Sequence, residues 1–376
     1  MRCFILVFAL LFLGCETEKS TIDPLAYSLE SESPKITNVV NNLEAHEIQI
    51  KLSVIDREND SIQFKEYEFQ VNDSNYFYPA SSVTFPISVL AIEKLEQQGK
   101  FNLDSPFFVE GDTTFTSFRH EIRDIFAVSS NDTYNRLFEY LGKDYINRSL
   151  KEKGLQPARI SHRLSTPEAD ELTTRPIVFM ESDSILYVSE PIINSPIETF
   201  ELDRLIKGKG YYSGDELIME PMDFSEKNYL PISTLHDMMK RINFPELFSA
   251  EQRFKLSEQG RTFLLEAMAI YPRDEGYVSE EYFDGYGKFF MYGDTTESIP
   301  DHLTIRNKVG YAYGYLTDCA YIKDTMHDLE YILTATIHVN KDGIFNDDVY
   351  EYDEIGLPFL AEFGRTLHQY LIDQKK

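Results

Sequence analysis

The sequence predicts an α+β fold in which strands from both ends of the chain form one antiparallel sheet and helices from the middle cover it. Two hairpins predict the sheet, because apolar and polar residues alternate in their arms as in strands with one buried face. Between the hairpins, apolar residues recur mostly at helical spacing. Strands at both ends with helices between them are typical of an α+β domain.

The first hairpin is predicted at residues 46–56 and 61–71, with the turn-like sequence Glu58-Asn59-Asp60 between its arms. Four apolar residues of the first arm share one face: Ile48, Ile50, Leu52 and Val54. A second hairpin is predicted at residues 315–322 and 329–339. The chain then closes with an amphipathic helix over residues 355–371, whose apolar positions are Leu360, Phe363, Leu367 and Leu371.

Helical spacing between the hairpins is clearest in five segments: residues 86–98, 131–141, 143–153, 235–242 and 250–270. Residues 173–228 lack clear periodicity and contain three glycines, Gly208, Gly210 and Gly214. A long irregular segment within a domain is often functional, so we expect an insertion near a site.

The N-terminus has the pattern of an export signal. Arg2 precedes an apolar run over residues 3–13 that is too short to span a bilayer and ends in Gly14-Cys15. A small residue before a cysteine is where lipoprotein precursors are cleaved and the cysteine is acylated. We expect a signal peptide over residues 1–14, lipidation of Cys15, a tether over residues 15–45 and one domain over residues 46–376. A plain secretory signal is the alternative.

Charge and motif content exclude several classes of function. The formal net charge of -27 repels nucleic acids and anionic lipid surfaces, so no nucleic-acid partner is expected. With Cys15 acylated and Cys3 removed with the signal, Cys319 has no partner for a disulfide. The chain has no HExxH motif, no G-x-x-x-x-G-K-[ST] loop and no G-x-S-x-G motif. We therefore expect no metal, no cofactor and no nucleotide hydrolysis.

Three short segments carry chemical information. Residues 78–86 place Ser81 at the start of a predicted helix, where free backbone N–H groups can stabilise an oxyanion. Ser129 and Asn131 precede another helix, and Lys308-Val309-Gly310 lies on or beside a strand. Taken singly, the first two segments are ordinary helix caps and the third is an edge lysine.

Together and in this order, the segments resemble the S-x-x-K, S-D-N and K-T-G motifs of class A β-lactamases and penicillin-binding proteins. The likeness is strongest to exported β-lactamase-like serine hydrolases of bacteria. It covers most of residues 46–372 and implies a β-lactamase/transpeptidase-like fold, with a helical subdomain beside the sheet.

The resemblance also implies roles for individual residues. Ser81 is the expected nucleophile, Ser129 relays a proton to the leaving nitrogen, and Lys308 lies near the substrate carboxylate. The backbone N–H groups of Ser81 and Tyr311 form the expected oxyanion hole. Substrate-binding positions are Asn131, Thr84, Gly310 and Tyr311.

Three departures from the family pattern bear on activity. Thr84 stands where S-x-x-K has lysine, and a threonine does not accept a proton at neutral pH as a lysine of lowered pKa does. The second motif reads Ser129-Ser130-Asn131, and Val309 removes a hydroxyl that would bind a carboxylate. Ser81 therefore lacks the usual activating group.

A second base is suggested by Glu168. Class A enzymes carry a glutamate after an Arg-Leu-Asp run, and here Arg163-Leu164-Ser165 precedes Thr166-Pro167-Glu168. Such a carboxylate can activate a water, and with it the serine.

Two functions remain open from the sequence. The first is acyl transfer by Ser81 on a β-lactam or a peptidoglycan-like peptide, weakened by Thr84. The second is an inactive, lipid-anchored binding module that recognises a cell-wall peptide or a protein partner. The natural substrate and the oligomeric state stay open.

Overall fold

A five-stranded antiparallel sheet organises the chain, in a computed structural model that describes residues 22–58 and 61–375. The strands, in chain order, are β1 (Gln49–Glu58), β2 (Ser61–Phe69), β3 (Pro106–Val109), β4 (Thr116–Ser117), β5 (Ile177–Glu181), β6 (Ser184–Val188), β7 (Ile206–Lys207), β8 (Gly210–Ser213), β9 (Glu216–Ile218), β10 (Met222–Asp223), β11 (Leu303–Ala312), β12 (Tyr315–Asp324), β13 (Leu329–His338) and β14 (Ile344–Phe345).

The helices, also in chain order, are α1 (Pro24–Leu29), α2 (Pro34–Val40), α3 (Leu43–His46), α4 (Thr84–Gln98), α5 (Phe118–Val128), α6 (Asn131–Leu141), α7 (Lys143–Glu152), α8 (Ile232–Asn243), α9 (Glu258–Ala267), α10 (Phe289–Tyr292) and α11 (Leu357–Lys375). Among the described residues no helix is long and apolar enough to cross a membrane.

The central sheet has the strand order β11-β12-β13-β1-β2, with every neighbouring pair antiparallel. Both predicted hairpins are therefore confirmed, and β1 joins them by pairing with β13. The predicted α+β class, with a sheet assembled from the two ends of the chain, is also confirmed.

Apolar residues cover both faces of this sheet. On one face α8 and the helices α4 to α7 form a core that includes Phe85, Leu235 and Ile332. On the other face α1, α2 and α11 bury residues such as Leu52 and Phe363. The first face matters for function, because α4 starts at Thr84 and brings Ser81 to the edge of β11.

The predicted tether over residues 15–45 is wrong for its described part. Residues 24–46 form α1 to α3, and α1 and α2 pack against α11. Their contacts come from a few widely spaced apolar residues, Leu25, Leu29, Ile36 and Val39, all of them buried. The sequence did not predict these helices, because the segment is mostly polar and each helix is too short to show a full apolar stripe. The predicted signal peptide and Cys15 lie outside the described residues.

Residues 173–228 are more regular than the sequence suggested. They contain β5 to β10, with β5 pairing with β3 and β6 at one edge of the helical subdomain. Their C-terminal end returns to the cleft beside Ser81, where Lys227 forms part of the wall.

Candidate active site

Ser81 stands where a short 3-10 turn, Ala80–Val83, continues into α4. It lines a cavity of about 470 Å³ that opens to solvent. The preceding residue, Ala80, has a φ of 46°, a left-handed conformation that costs a non-glycine residue about 1 kcal/mol. Such strain persists where the surroundings impose it, and it is common beside reactive groups.

Gly310 fixes the nucleophile turn against the sheet. A Cβ atom at this position would lie 2.5 Å from the carbonyl oxygen of Pro79, 2.6 Å from the amide of Ser82 and 2.9 Å from the amide of Ser81. Only glycine allows the backbone of β11 to approach the turn this closely. The third motif therefore lies directly beside the first, as the resemblance implies.

Thr84 does not reach the cavity. Its side chain is buried, and its hydroxyl donates a hydrogen bond of 2.8 Å to the carbonyl oxygen of Ser81. This geometry does not support a contact between Thr84 and substrate, because the hydroxyl is bound within the turn that carries the nucleophile.

Lys308 and Ser129 form a hydrogen-bonded pair next to the Ser81 cavity. The amine of Lys308 donates to the hydroxyl of Ser129 at 2.7 Å and to the carbonyl oxygen of Val309 at 2.8 Å. Both residues line a narrow cavity that shares Tyr311 with the larger one. The structure thus brings the second and third motifs together.

Burial controls the charge on Lys308. Only 2% of the residue is exposed, and desolvation lowers the pKa of its amine to about 7, against the opposing attraction of Asp318. Lys288, also buried, has its pKa lowered to about 8 by desolvation. Burial raises the pKa of Asp318 to about 7, although Asn307 donates to its carboxylate at 2.8 Å. The lysine of the third motif therefore titrates near neutrality.

Asn131 lines the Ser81 cavity at the start of α6. Its amide group donates to the hydroxyl of Ser165 at 3.0 Å, across the cleft mouth. The side chain of Ser130 caps α6, accepting from the backbone N–H of Thr133. Asn131 is thus placed to contact a ligand, whereas Ser130 is a structural residue.

Glu168 lies outside the cavity that holds Ser81. It lines an adjoining cavity of about 720 Å³ and does not line the one that holds Ser81. Its carboxylate is exposed, and the hydroxyl of Thr166 donates to it at 2.7 Å, which lowers its pKa. An ionised carboxylate in open solvent is a weak base, so this geometry does not support Glu168 as the group that activates Ser81.

Two buried residues support the cleft wall without reacting. Arg163 makes a paired contact with Glu139, at 2.8 and 2.9 Å, and donates to the carbonyl oxygen of Glu171 at 2.8 Å. The imidazole of His162 contacts the carbonyl oxygen of Arg163 at 2.6 Å, and burial lowers its pKa to about 4. His162 is therefore neutral and structural.

The sequence indicated Tyr311 but not the other tyrosines that form much of the cavity wall: Tyr78, Tyr313, Tyr350 and Tyr352. Two pairs stand two residues apart in the sequence, at 311 and 313 and at 350 and 352, and this spacing is the signal that was available. Tyr350 and Tyr352 come from the segment after β14, which only the folded chain brings to Ser81. Within the described ranges, no group of three or more His, Cys, Asp or Glu side chains is arranged to hold a metal ion.

Comparison with known proteins agrees with this geometry. Residues 33–188 match the model of the β-lactamase enzyme family. No curated protein matches the chain.

Several solved structures share the fold at low identity. The β-lactamase from Sphaerobacter thermophilus is 10% identical, with a TM-score of 0.53, and the match covers 92% of this chain and 95% of that one. The structure of L2 complexed with relebactam is 12% identical, with a TM-score of 0.51 and coverages of 93% and 99%. PBP-A is 12% identical, with a TM-score of 0.50 and coverages of 92% and 96%.

The chain therefore has the β-lactamase/transpeptidase-like fold, with the three motif segments converging at one cleft. The family model over residues 33–188 supports the resemblance to the class A β-lactamase and penicillin-binding-protein family, and the structural neighbours show the shared fold.

Proposed function

We propose that the chain is a lipid-anchored serine hydrolase of the cell envelope that forms an acyl-enzyme at Ser81, slowly, on β-lactam or peptidoglycan-type carbonyls. The observation that carries this proposal is the close approach of Gly310 to the backbone of Ser81 and Ser82, which leaves no room for a Cβ atom. It sets the N-terminus of α4 against β11, so that the amides of Ser81 and Tyr311 can stabilise one oxyanion.

The Lys308–Ser129 pair supplies the proton transfer that follows attack. Ser81 Oγ bonds to the carbonyl carbon, and the bond from that carbon to the leaving nitrogen breaks. The proton of Ser81 passes to water. Ser129 gives its proton to the nitrogen, and Lys308, which titrates near pH 7, returns a proton to Ser129 and regains one from solvent. Water then hydrolyses the acyl ester and restores Ser81.

The rate of the first step is limited by Thr84. Its hydroxyl is engaged with the carbonyl oxygen of Ser81 and is no base, so Ser81 loses its proton only to water or to a weaker relay. The same observation favours the second candidate, a binding module that keeps the cleft and recognises a cell-wall peptide or a protein partner without chemistry.

Intact-mass spectrometry of the chain after incubation with a fluorescent penicillin separates the two candidates. Ser81→Ala is the test variant, and Ser82→Ala is the matched control, because Ser82 is buried and its hydroxyl is bound to the carbonyl oxygen of Pro79. If the adduct forms on the unmodified chain and on Ser82→Ala but not on Ser81→Ala, the result supports the hydrolase. No adduct after long exposure favours the binding module.

A further inference from the structure

Three charged side chains line the Ser81 cavity in the part of the chain that the structure describes: Arg163, Lys227 and Asp348. The charge of Arg163 is neutralised, because its guanidinium group makes a paired contact with Glu139 at 2.8 and 2.9 Å. Among the described residues, no group of opposite charge lies within 4.0 Å of the amine of Lys227 or of the carboxylate of Asp348. The wall therefore presents one unpaired cation and one unpaired anion to the cavity.

The backbone of Lys227 is fixed beside His162. Its carbonyl oxygen accepts hydrogen bonds from Nε and Nη2 of Arg159, at 2.9 and 2.7 Å, and its N–H donates to the carbonyl oxygen of Phe224 at 3.0 Å. Burial lowers the pKa of His162 to about 4, and the nearby positive charge of Lys227 lowers it further. The side chain of Lys227 is half-buried. Its amine is thus held at the wall by an anchored backbone and is left to bind a ligand.

Asp348 belongs to the segment after β14 and lies beside two tyrosines of the wall. Burial raises the pKa of Tyr350 and Tyr352, and the negative charge of Asp348 raises both further. The hydroxyls of these tyrosines accept from the backbone N–H groups of Asn346 and Gly314, at 2.9 and 2.8 Å. The exposed carboxylate of Asp348 therefore stands on an ordered part of the wall.

Two opposite charges that are not paired with each other fit a ligand that carries both. A lysine amine binds a carboxylate and an aspartate binds an ammonium group, in each case through charge-assisted hydrogen bonds. The net charge of -27 repels a ligand whose only charge is a carboxylate, and an ammonium group on the same ligand offsets this repulsion. Asp170 also acts on His162 at long range, but it does not line the cavity.

We propose that the cleft selects acyl donors that carry both a carboxylate and an ammonium group, with Lys227 binding the carboxylate and Asp348 the ammonium group. The inference rests on the proposed acylation of Ser81 and names its substrate class. Neither Lys227 nor Asp348 takes part in the bond changes at Ser81, and Lys308 keeps its contact with Ser129 for proton transfer. Both wall residues determine specificity.

Two penicillins test the selectivity on the full-length chain. Benzylpenicillin carries only a carboxylate, and ampicillin differs from it by one amino group on the side chain. At a pH where this amine is protonated, time-resolved intact-mass spectrometry should show acylation of Ser81 by ampicillin to be about threefold to fivefold faster, the size of one partly exposed ion pair. Equal rates, or a faster reaction with benzylpenicillin, overturn the inference.

Variants that remove one charge assign the preference to the two residues. Asp348→Asn should abolish the preference for ampicillin, whereas Asp215→Asn, at an exposed residue between β8 and β9, should keep it. Lys227→Met should slow acylation by both penicillins by about threefold to fivefold, and Lys341→Met, at an exposed lysine, should not. A preference that survives Asp348→Asn, or equal effects of the two lysine variants, overturns the inference.

Binding to the Ser81→Ala variant gives a readout that does not need chemistry. Ligand-observed NMR should show that ampicillin binds about threefold to fivefold more tightly than benzylpenicillin, which lacks the ammonium group, and than ampicillin methyl ester, which lacks the carboxylate. Equal binding of the three compounds contradicts the inference.

Failure of the selectivity and failure of the hydrolase give different results. Selective binding of ampicillin with no adduct on the unmodified chain would refute the hydrolase and keep the selectivity. An adduct at Ser81 that both penicillins form equally fast would keep the hydrolase and refute the selectivity.

Discussion

The hydroxyl of Thr84 donates a hydrogen bond of 2.8 Å to the carbonyl oxygen of Ser81, three residues earlier. Thr84 stands at the position of the family's lysine. Its hydroxyl stabilises the turn that carries the nucleophile. The cleft therefore keeps the close approach of β11 to the Ser81 turn, while Thr84 offers no amine to take the proton of Ser81.

Restoring that amine should restore reactivity. In Thr84→Lys, burial should keep the new amine largely neutral, so that it can accept the proton of Ser81. We expect acylation by a fluorescent penicillin to become at least roughly tenfold faster, within the range of about 10²–10⁴ that general bases supply. Stopped-flow labelling measures the rate. Thr84→Ser, which keeps a hydroxyl, is the control, and an unchanged rate in Thr84→Lys would contradict the prediction.

Gly310→Ala should disturb the nucleophile. The added methyl group would meet the backbone of Pro79, Ser81 and Ser82 at 2.5 to 2.9 Å, and backbone atoms cannot move aside cheaply. We expect a loss of about 1–3 kcal/mol of unfolding free energy and a loss of Ser81 labelling. Urea denaturation and mass spectrometry measure the two effects. Gly287→Ala is the control, because its methyl group meets nothing within 4 Å; similar effects in both variants would refute the packing argument.

Lys308→Met should alter the pH dependence of stability. The pKa of Lys308 in the folded chain is about 7, below the usual value of about 10.4, so between these values the unfolded chain binds more protons here. The cost of burying the charged amine is complete below pH 7 and fades as the pH rises.

The unfolding free energy of the unmodified chain, relative to Lys308→Met, should therefore rise by roughly 2–3 kcal/mol between pH 6 and pH 9. Urea denaturation at both pH values measures this difference. Lys341→Met removes an exposed lysine as the control. A difference that is constant or falls with pH would contradict the assignment of the lowered pKa.

Arg163→Met should destabilise the cleft wall by about 3 kcal/mol, because Glu139 would stay buried without its main cation. Chemical denaturation followed by circular dichroism measures the loss. Arg148→Met provides the comparison. Arg148 is largely exposed and its distance to Glu152 is as long as 4.0 Å, so its loss should change stability little. Equal effects of the two substitutions would argue against a supporting role for Arg163.

Much of the fold follows from local patterns in the sequence. β1 and β13 overlap the predicted hairpin arms, and α6 begins and ends where its capping and apolar residues predict. The N-terminal helices escaped prediction because their few apolar residues become meaningful only against α11, more than 300 residues away in sequence.

The site was predictable where it depends on motifs and not where it depends on distant contacts. Gly310 lies against the turn that carries Ser81, and Lys308 contacts Ser129. Spacing alone suggested Glu168, yet its loop points the carboxylate into a different cavity. The position of Tyr350 is set by how the segment after β14 folds back across the cleft, which no local pattern encodes.

The central claim is that Ser81 is a reactive nucleophile despite Thr84. Labelling the full-length chain with a fluorophosphonate, followed by peptide mapping, tests it most directly, because this probe reacts with activated serines and carries no carboxylate. The account predicts a single modified peptide containing Ser81 and no label in Ser81→Ala. Label on another serine, or none in the unmodified chain, would contradict it.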